Sequence, residues 1–481
     1  MALPRRVVVL LAGTVALALL NYKFVVLLPD EADPKPTPLV WGDLPGYTGW
    51  PRPPTTLASG FVTTIEQSQV HHVGQNVTFV VHHPQSQDSL FYARAYGPAI
   101  LPGRVVHRGD GTHSISFGQV VDPGTYTVEI VLTYSRRPSR RPPSTDEPAY
   151  EGWLLPGFPR KFTVTPTSPF RNHDQSAVPR RPCHWTDFSR GRWVVTERLV
   201  DRAWSPAAAG VSAEMDRPTY SRGMQTLGFV ADYRIRDCEY LSNDERSREA
   251  LLTALQGSNL PQRPLEFVFV GDSNTRIQAQ LFRESFGVPV TYIATNGGLV
   301  REWDRIEAEL KALRGNETNR FVLFNTGLHS IFELCDWGRD GRRRETLPNL
   351  TSDFSCHETY REYLQRFVDL VLSTPAILHA WQTTMAAWPK WGVPSAAWPW
   401  TYQHYPLDIS VCEEFNQIAA EVLPDHVPVL DTYWLTYSRP DHRQVDEKNS
   451  VTGRLMHAGP EVYSVLTRQW AHVVLETIRA M

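Results

Sequence analysis

Leu265–Leu281, LEFVFVGDSNTRIQAQL, changes its hydrophobic rhythm midway. Leu265, Phe267, Val268, Phe269 and Val270 form an apolar run of the length of a buried strand. Gly271-Asp272-Ser273 breaks the run, and Ile277 and Leu281 then recur four apart, as on one helix face. The reading is strand, tight turn, helix, with Ser273 on the turn. A hydroxyl there sits at the positive end of a helix, where a developing anion is favoured. Ser273 is a nucleophile if a base lies within reach; the competing reading makes it only the helix N-cap.

Downstream of this stretch, strand and helix signals alternate. Phe321–Phe324 reads as a strand entering Asn325-Thr-Gly-Leu-His-Ser330, Tyr360–Leu372 as a helix, Ala376–Trp381 as a strand, and Val427–Leu430 as a strand running into Asp431. Val462, Val465, Leu466, Trp470, Val473, Val474 and Ile478 make the stripe of a closing helix. Such alternation predicts an α/β domain over residues 261–481, a doubly wound, mostly parallel sheet with helices on both faces. The site of such a sheet forms at the carboxyl ends of its strands.

Upstream, residues 58–168 carry short alternating runs, among them Val77–Val81, Phe91–Ala95, His113–Phe117, Thr125–Val131 and Lys161–Thr165. Gly109-Asp110-Gly111 and Asp122-Pro123-Gly124 punctuate them, which predicts an antiparallel β-sandwich. Residues 169–260 read as a connector opening the catalytic part, and the proline-rich residues 29–57 as a stalk. At the N-terminus, Arg5 and Arg6 precede the apolar Val7–Leu28, and acids follow. This pattern predicts a signal-anchor over residues 1–28, a transmembrane helix with the rest of the chain lumenal, as in a single-pass type II protein. The alternative is a cleaved signal peptide and a secreted protein.

Either route leads to an oxidising compartment, where most of the five cysteines should pair; Cys183–Cys238 and Cys335–Cys356 are the expected bridges. Asn76, Asn316 and Asn349 head glycosylation triplets. A net charge of −3 argues against nucleic acid as a partner. No cysteine or histidine spacing suggests a metal.

Acyl chemistry at Ser273 needs a histidine base, a group to orient it and donors for an oxyanion. His457 stands just before the closing helix; His442 and His329 compete for the role. Gly297 or Gly298 brings a backbone N–H close, and the Asn325 amide is another donor. Trp388, Trp391, Trp398 and Trp400 with Tyr402 and Tyr405 form either a sugar-stacking wall or a packed loop.

Gly271-Asp-Ser-Asn-Thr-Arg276 resembles the GDSxxR block of PC-esterase domains, a branch of the SGNH hydrolase superfamily. Phe324-Asn-Thr-Gly327 resembles the FNTG block of the trichome birefringence-like proteins, and Ser438-Arg-Pro-Asp-His442 resembles part of their late segment. Leu455-Met-His-Ala-Gly-Pro460 falls where that family has its DxxH, and Cys183 with Gly191-Arg-Trp193 resembles the motif that opens the domain. Ala93-Arg-Ala95, Gly103-Arg-Val105, Gly109-Asp-Gly111 and Gly124–Val128 are similar to the neurexophilin-like, immunoglobulin-type domain. Together these resemble the neurexophilin and PC-esterase domain family. The resemblance implies an SGNH-type sheet preceded by an immunoglobulin-like sandwich, and O-acetyl transfer to or from carbohydrate hydroxyls in the Golgi. By that carry-over Ser273 is the nucleophile and His457 the base, with Gly298 and Asn325 at the oxyanion. Arg276, His329, Trp388 and Trp391 are the expected substrate contacts. It implies no tightly bound cofactor, with acetyl-CoA or another acyl donor visiting. Arg454 stands where the family has its catalytic Asp, so Asp441 is taken as the orienting acid, with Asp446 in the same loop. That departure also favours the rival reading, an inactive binding module on an esterase fold.

Overall fold

The structure is a computed structural model. It describes residues 62–65, 70–83, 87–138, 151, 153–166, 180–199, 228–241, 245–257, 260, 263–313, 315, 318–335, 355–387, 408–439, 458 and 460–481. The N-terminal elements are β1 (Val62–Ile65), β2 (Val70–His72), β3 (Asn76–His82), β4 (Leu90–Tyr96), β5 (Ala99–Pro102), β6 (Arg104–Gly109), β7 (Thr112–Gln119), β8 (Gly124–Tyr134), β9 (Trp153–Leu154) and β10 (Arg160–Thr165). Then come β11 (Arg181–Pro182), a 3-10 helix (Trp185–Arg190), β12 (Arg192–Leu199), β13 (Gly228–Arg234), β14 (Cys238–Glu239) and α1 (Glu245–Gly257). The C-terminal part runs β15 (Leu265–Gly271), α2 (Ser273–Phe286), β16 (Val290–Ala294), α3 (Trp303–Ala312), β17 (Asn319–Phe324), α4 (Leu328–Cys335), α5 (Cys356–Leu372), β18 (Leu378–Gln382), α6 (Ile409–Val422), β19 (Val429–Leu430), α7 (Thr432–Tyr437) and α8 (Pro460–Ala480).

Among the described residues these strands form four sheets. One has the order β1-β3-β7-β6; a larger one has the order β13-β12-β5-β4-β8-β10-β2, with β9 on β8. The first is antiparallel throughout, and the second is antiparallel except where β10 meets β2. Their facing rings meet in the core: Phe117 of β7 lies against Phe162 of β10, which stacks on Tyr126 of β8. Residues of the connector take part in this layer, because β12 pairs with β5 and β13 pairs with β12. β11 and β14 form a small parallel pair.

The fourth sheet is wholly parallel, with the order β16-β15-β17-β18-β19. Phe267, Val268, Phe269 and Val270 of β15, an interior strand, are 0% exposed. Each buried side chain of this size contributes about 2 kcal/mol. Period-two alternation sends Phe267 and Phe269 toward Phe282 of α2, with Phe269 also meeting Trp470 of α8. Val268 and Val270 join the opposite apolar cluster with Ile306, Ile331, Phe367 and Phe415 of α3 to α6.

The structure corrects the expected fold class in two respects. The chain is not organised on one SGNH-type sheet: it is a mixed α/β molecule of several sheets, because the antiparallel strands form their own ladders, which β12 and β13 join, and share one apolar core with the parallel sheet. Nor is the expected membrane helix found among the described residues. No helix among the described residues is long and apolar enough to cross a bilayer. The longest, α8, has the apolar stripe expected of a core helix, and Glu461, Arg468, Glu476 and Arg479 interrupt it. Val7–Leu28 and the proline-rich segment lie outside the described residues.

Both expected disulfides are present, Cys183–Cys238 and Cys335–Cys356, with Cα separations of 4.9 and 5.4 Å. Cys412 is a buried thiol outside both. Two such bridges belong to an oxidising, secreted or lumenal environment.

Candidate active site

Ser273 is the first residue of α2, immediately after the turn that leaves β15. The N-cap role belongs to Asp272, whose carboxylate accepts the N–H of Asn274 at 2.9 Å. The cap-only reading of Ser273 therefore passes to its neighbour, and Ser273 stands half-buried beside the positive helix end. Gly271 is required here, since a Cβ would come within 2.2 Å of Thr275 Oγ1. The Tyr292 hydroxyl is shared between the carbonyls of Gly271 (2.9 Å) and Asp272 (3.0 Å), which pins the turn from β16. Burial, with Asp272 beside it, pushes that phenol well above its usual range.

The neighbouring strand ends deliver two more expected residues to the same rim. Thr295 N–H donates to the Gly271 carbonyl at 2.7 Å, so the loop carrying Gly297 and Gly298 leaves β16 beside the Ser273 turn. On the other side, Asn325 N–H donates to the Val270 carbonyl at 2.8 Å. The strand order reverses about β15, the place where open parallel sheets bind their ligands.

Gly298 is buried at φ +91°, and a Cβ on it would meet Glu333 Oε2 at 2.1 Å. Glu333, on α4, accepts the backbone N–H groups of Val300 (3.1 Å) and Arg301 (2.5 Å). Ser330, one turn earlier, accepts the N–H of Leu299 at 3.4 Å. The glycine loop is thus clamped by a helix that begins just past Asn325. Burial raises the Glu333 carboxyl to about 7, although the two backbone donors and Arg301 pull it down. Nothing in the sequence marked Glu333, a lone acid in a short apolar segment.

Asn325 is almost fully buried, and its side-chain amide donates to the Gln382 carbonyl at 2.6 Å. One amide N–H is thereby committed to the end of β18. His329 is half-buried on the first turn of α4, with its ring 6.4 Å from that of Phe332. Arg276 is exposed on α2. His457, Asp441, Asp446, Trp388 and Trp391 lie outside the described residues, as do Asn316 and Asn349. Asn76 is exposed at the start of β3. Among the described residues, the one grouping of His, Cys and acids close enough for a metal is Cys183, Asp187 and Cys238, and its two sulfurs are bonded to each other.

One contact links α8 to this rim. The Tyr463 hydroxyl donates to Asn274 Oδ1 at 2.6 Å, and both residues are buried. The helix that follows His457 in the chain is thus tied to the residue after Ser273.

No protein-family model matches this chain, and no curated protein matches it significantly.

Proposed function

We propose that the chain moves an acyl group, acetyl by the resemblance in its motifs, to or from a carbohydrate hydroxyl through a Ser273 acyl-enzyme. The observation that carries this reading is the position of Ser273: first in α2, just past the end of β15, the strand about which the order of the parallel sheet reverses. In this reading the Ser273 hydroxyl gives its proton to His457 as its oxygen bonds to the acyl carbon, and the donor's leaving group takes a proton. A sugar hydroxyl then displaces the serine and the acyl group leaves with it; water in place of the sugar makes the enzyme an esterase. The Asn325 amide supplies a donor to the oxyanion of each step, beside the Gly298 loop, whose Gly298 N–H goes to the Thr295 carbonyl at 3.1 Å. Asp441 is the acid assigned to orient His457. The visiting donor is acetyl-CoA or a similar acyl carrier. The disulfides and the exposed Asn76 triplet support work in the secretory pathway, the Golgi lumen included.

A second reading, an inactive binding module, is favoured by Arg454 in the place of the family's acid. A fluorophosphonate probe separates the two. The wild-type chain should be labelled, and Ser273→Ala and His457→Ala should lose the label while retaining their far-ultraviolet spectra. Absence of label on folded wild type would remove the enzyme reading. p-Nitrophenyl acetate turnover with and without a sugar acceptor then distinguishes transfer from hydrolysis.

A further inference from the structure

A groove of about 370 Å³ lies along the edge strand β19, between α6, the first turn of α7 and the 3-10 helix. Trp185, Trp434, Glu413, Asn416, Gln417 and Asp431 are among its lining residues; the Asn416 amide also holds the backbone of Thr384 through both its oxygen and its nitrogen. A second recess, of about 120 Å³, opens toward β4, β6 and β8 and shares Glu413, Gln417 and Trp434 with the first. The two hollows therefore adjoin where the antiparallel layer meets the parallel sheet.

The chemistry of the walls selects a ligand. Burial raises both the Glu413 and Asp431 carboxyls, with Glu414 adding to the rise at Glu413; Arg137 and then Arg104, whose guanidinium lies 4.7 Å over the Trp434 ring, act against it there, and the Trp434 backbone N–H and Arg104 do so at Asp431. The groove thus offers hydrogen-bonding groups, with guanidinium groups near both of its carboxyls. An uncharged ring with apolar C–H faces and a rim of hydroxyls matches it: the Trp185 indole takes a face, and Gln417 with the carboxyls takes the hydroxyls.

Its place relative to Ser273 follows from the sheet. Asp431 follows β19 as Asp272 follows β15, and three inter-strand steps separate those strands, about 14 Å along one edge. We propose that this groove is a sugar subsite, holding a distal uncharged ring of an oligosaccharide whose reacting hydroxyl lies at Ser273. The assignment rests on the reading of Ser273 as nucleophile, and it makes the acceptor an extended glycan rather than a monosaccharide.

The test is calorimetric titration of the full chain with cello-, chito- and N-acetyllactosamine oligosaccharides of increasing length. At least one series should gain roughly ten-fold in affinity between the monosaccharide and its longer members, the equivalent of one good stacking contact. Trp185→Ala, and separately Gln417→Ala on the exposed side of α6, should abolish the gain with circular dichroism and fluorophosphonate labelling unchanged. No gain in any series, or a gain kept in both variants, overturns the subsite. Binding of tetramethylammonium in place of neutral sugars also overturns it, by making the groove a cation site. Labelling retained with no length dependence removes the groove alone; length dependence without labelling removes its coupling to Ser273 and the proposal with it.

Discussion

Burial holds the Glu333 carboxyl at about 7, against 4.5 for an ordinary glutamate, in the middle of the clamp on the Gly298 loop. The folded value lies above the unfolded one, so the folded chain keeps a proton that the unfolded chain has lost. Stability from this group is therefore full below about pH 4.5, falls as pH rises toward 7, and levels off above it. Glu333→Gln removes the titration. The difference in Tm between wild type and variant should shift against wild type across that window; a pH-independent difference would contradict the buried carboxyl. Gly298→Ala should cost about 1–3 kcal/mol in urea denaturation, because φ +91° and the Glu333 oxygen both oppose a Cβ. Initial rates should fall with it, because this loop is bonded through Thr295 to the turn that carries Ser273. Of the residues at this rim, Ser273, Gly298 and Asn325 were legible in the sequence because glycine, asparagine and serine punctuate apolar runs. Glu333 and the Tyr463–Asn274 bond were not, since each depends on a contact between distant segments.

At the scale of elements, periodicity located β15 and the helix after it. β17, β18 and β19 fall within one or two residues of their expected spans, and α5 extends the expected helix by one turn to its Ser355 cap. α4 was not anticipated: eight residues are too few for a period to declare itself against an apolar background. Its importance is positional, since it carries Ser330 and Glu333 and ends in the bridge to α5. Cys335–Cys356 closes a 21-residue separation. Replacing both cysteines by alanine should cost about 2–4 kcal/mol. A parallel fall in p-nitrophenyl acetate turnover is expected, because α4 sets the glycine loop. Unchanged stability in the double variant would show that the bridge adds nothing to the packing of α4 on α5.

Across the whole molecule, the antiparallel layer and the parallel sheet share buried hydrogen bonds. Tyr437 of α7 accepts the Ala93 N–H at 3.2 Å, and its carbonyl accepts the Tyr92 hydroxyl at 3.2 Å. Tyr134 donates to Asp408, the cap of α6, at 2.6 Å, and the Trp193 indole donates to the Leu435 carbonyl at 2.9 Å. These contacts predict a single cooperative unfolding transition by calorimetry; two well-separated transitions would refute the coupling. Tyr437→Phe leaves the buried Ala93 N–H without its acceptor and should destabilise that one transition by about 1–3 kcal/mol.

Local order in the chain determined where hydrophobic rhythm changes, which turn carries Ser273, and which cysteines lie near enough in sequence to suggest partners. Side-chain period and turn chemistry act over a few residues, so a linear reading captures them. Only the tertiary structure decided that the strands divide into several sheets, that β12 and β13 join the antiparallel layer, and that α4 grips the glycine loop. Those outcomes depend on which buried surfaces and backbone groups find each other across a hundred residues or more, and no local pattern encodes that pairing.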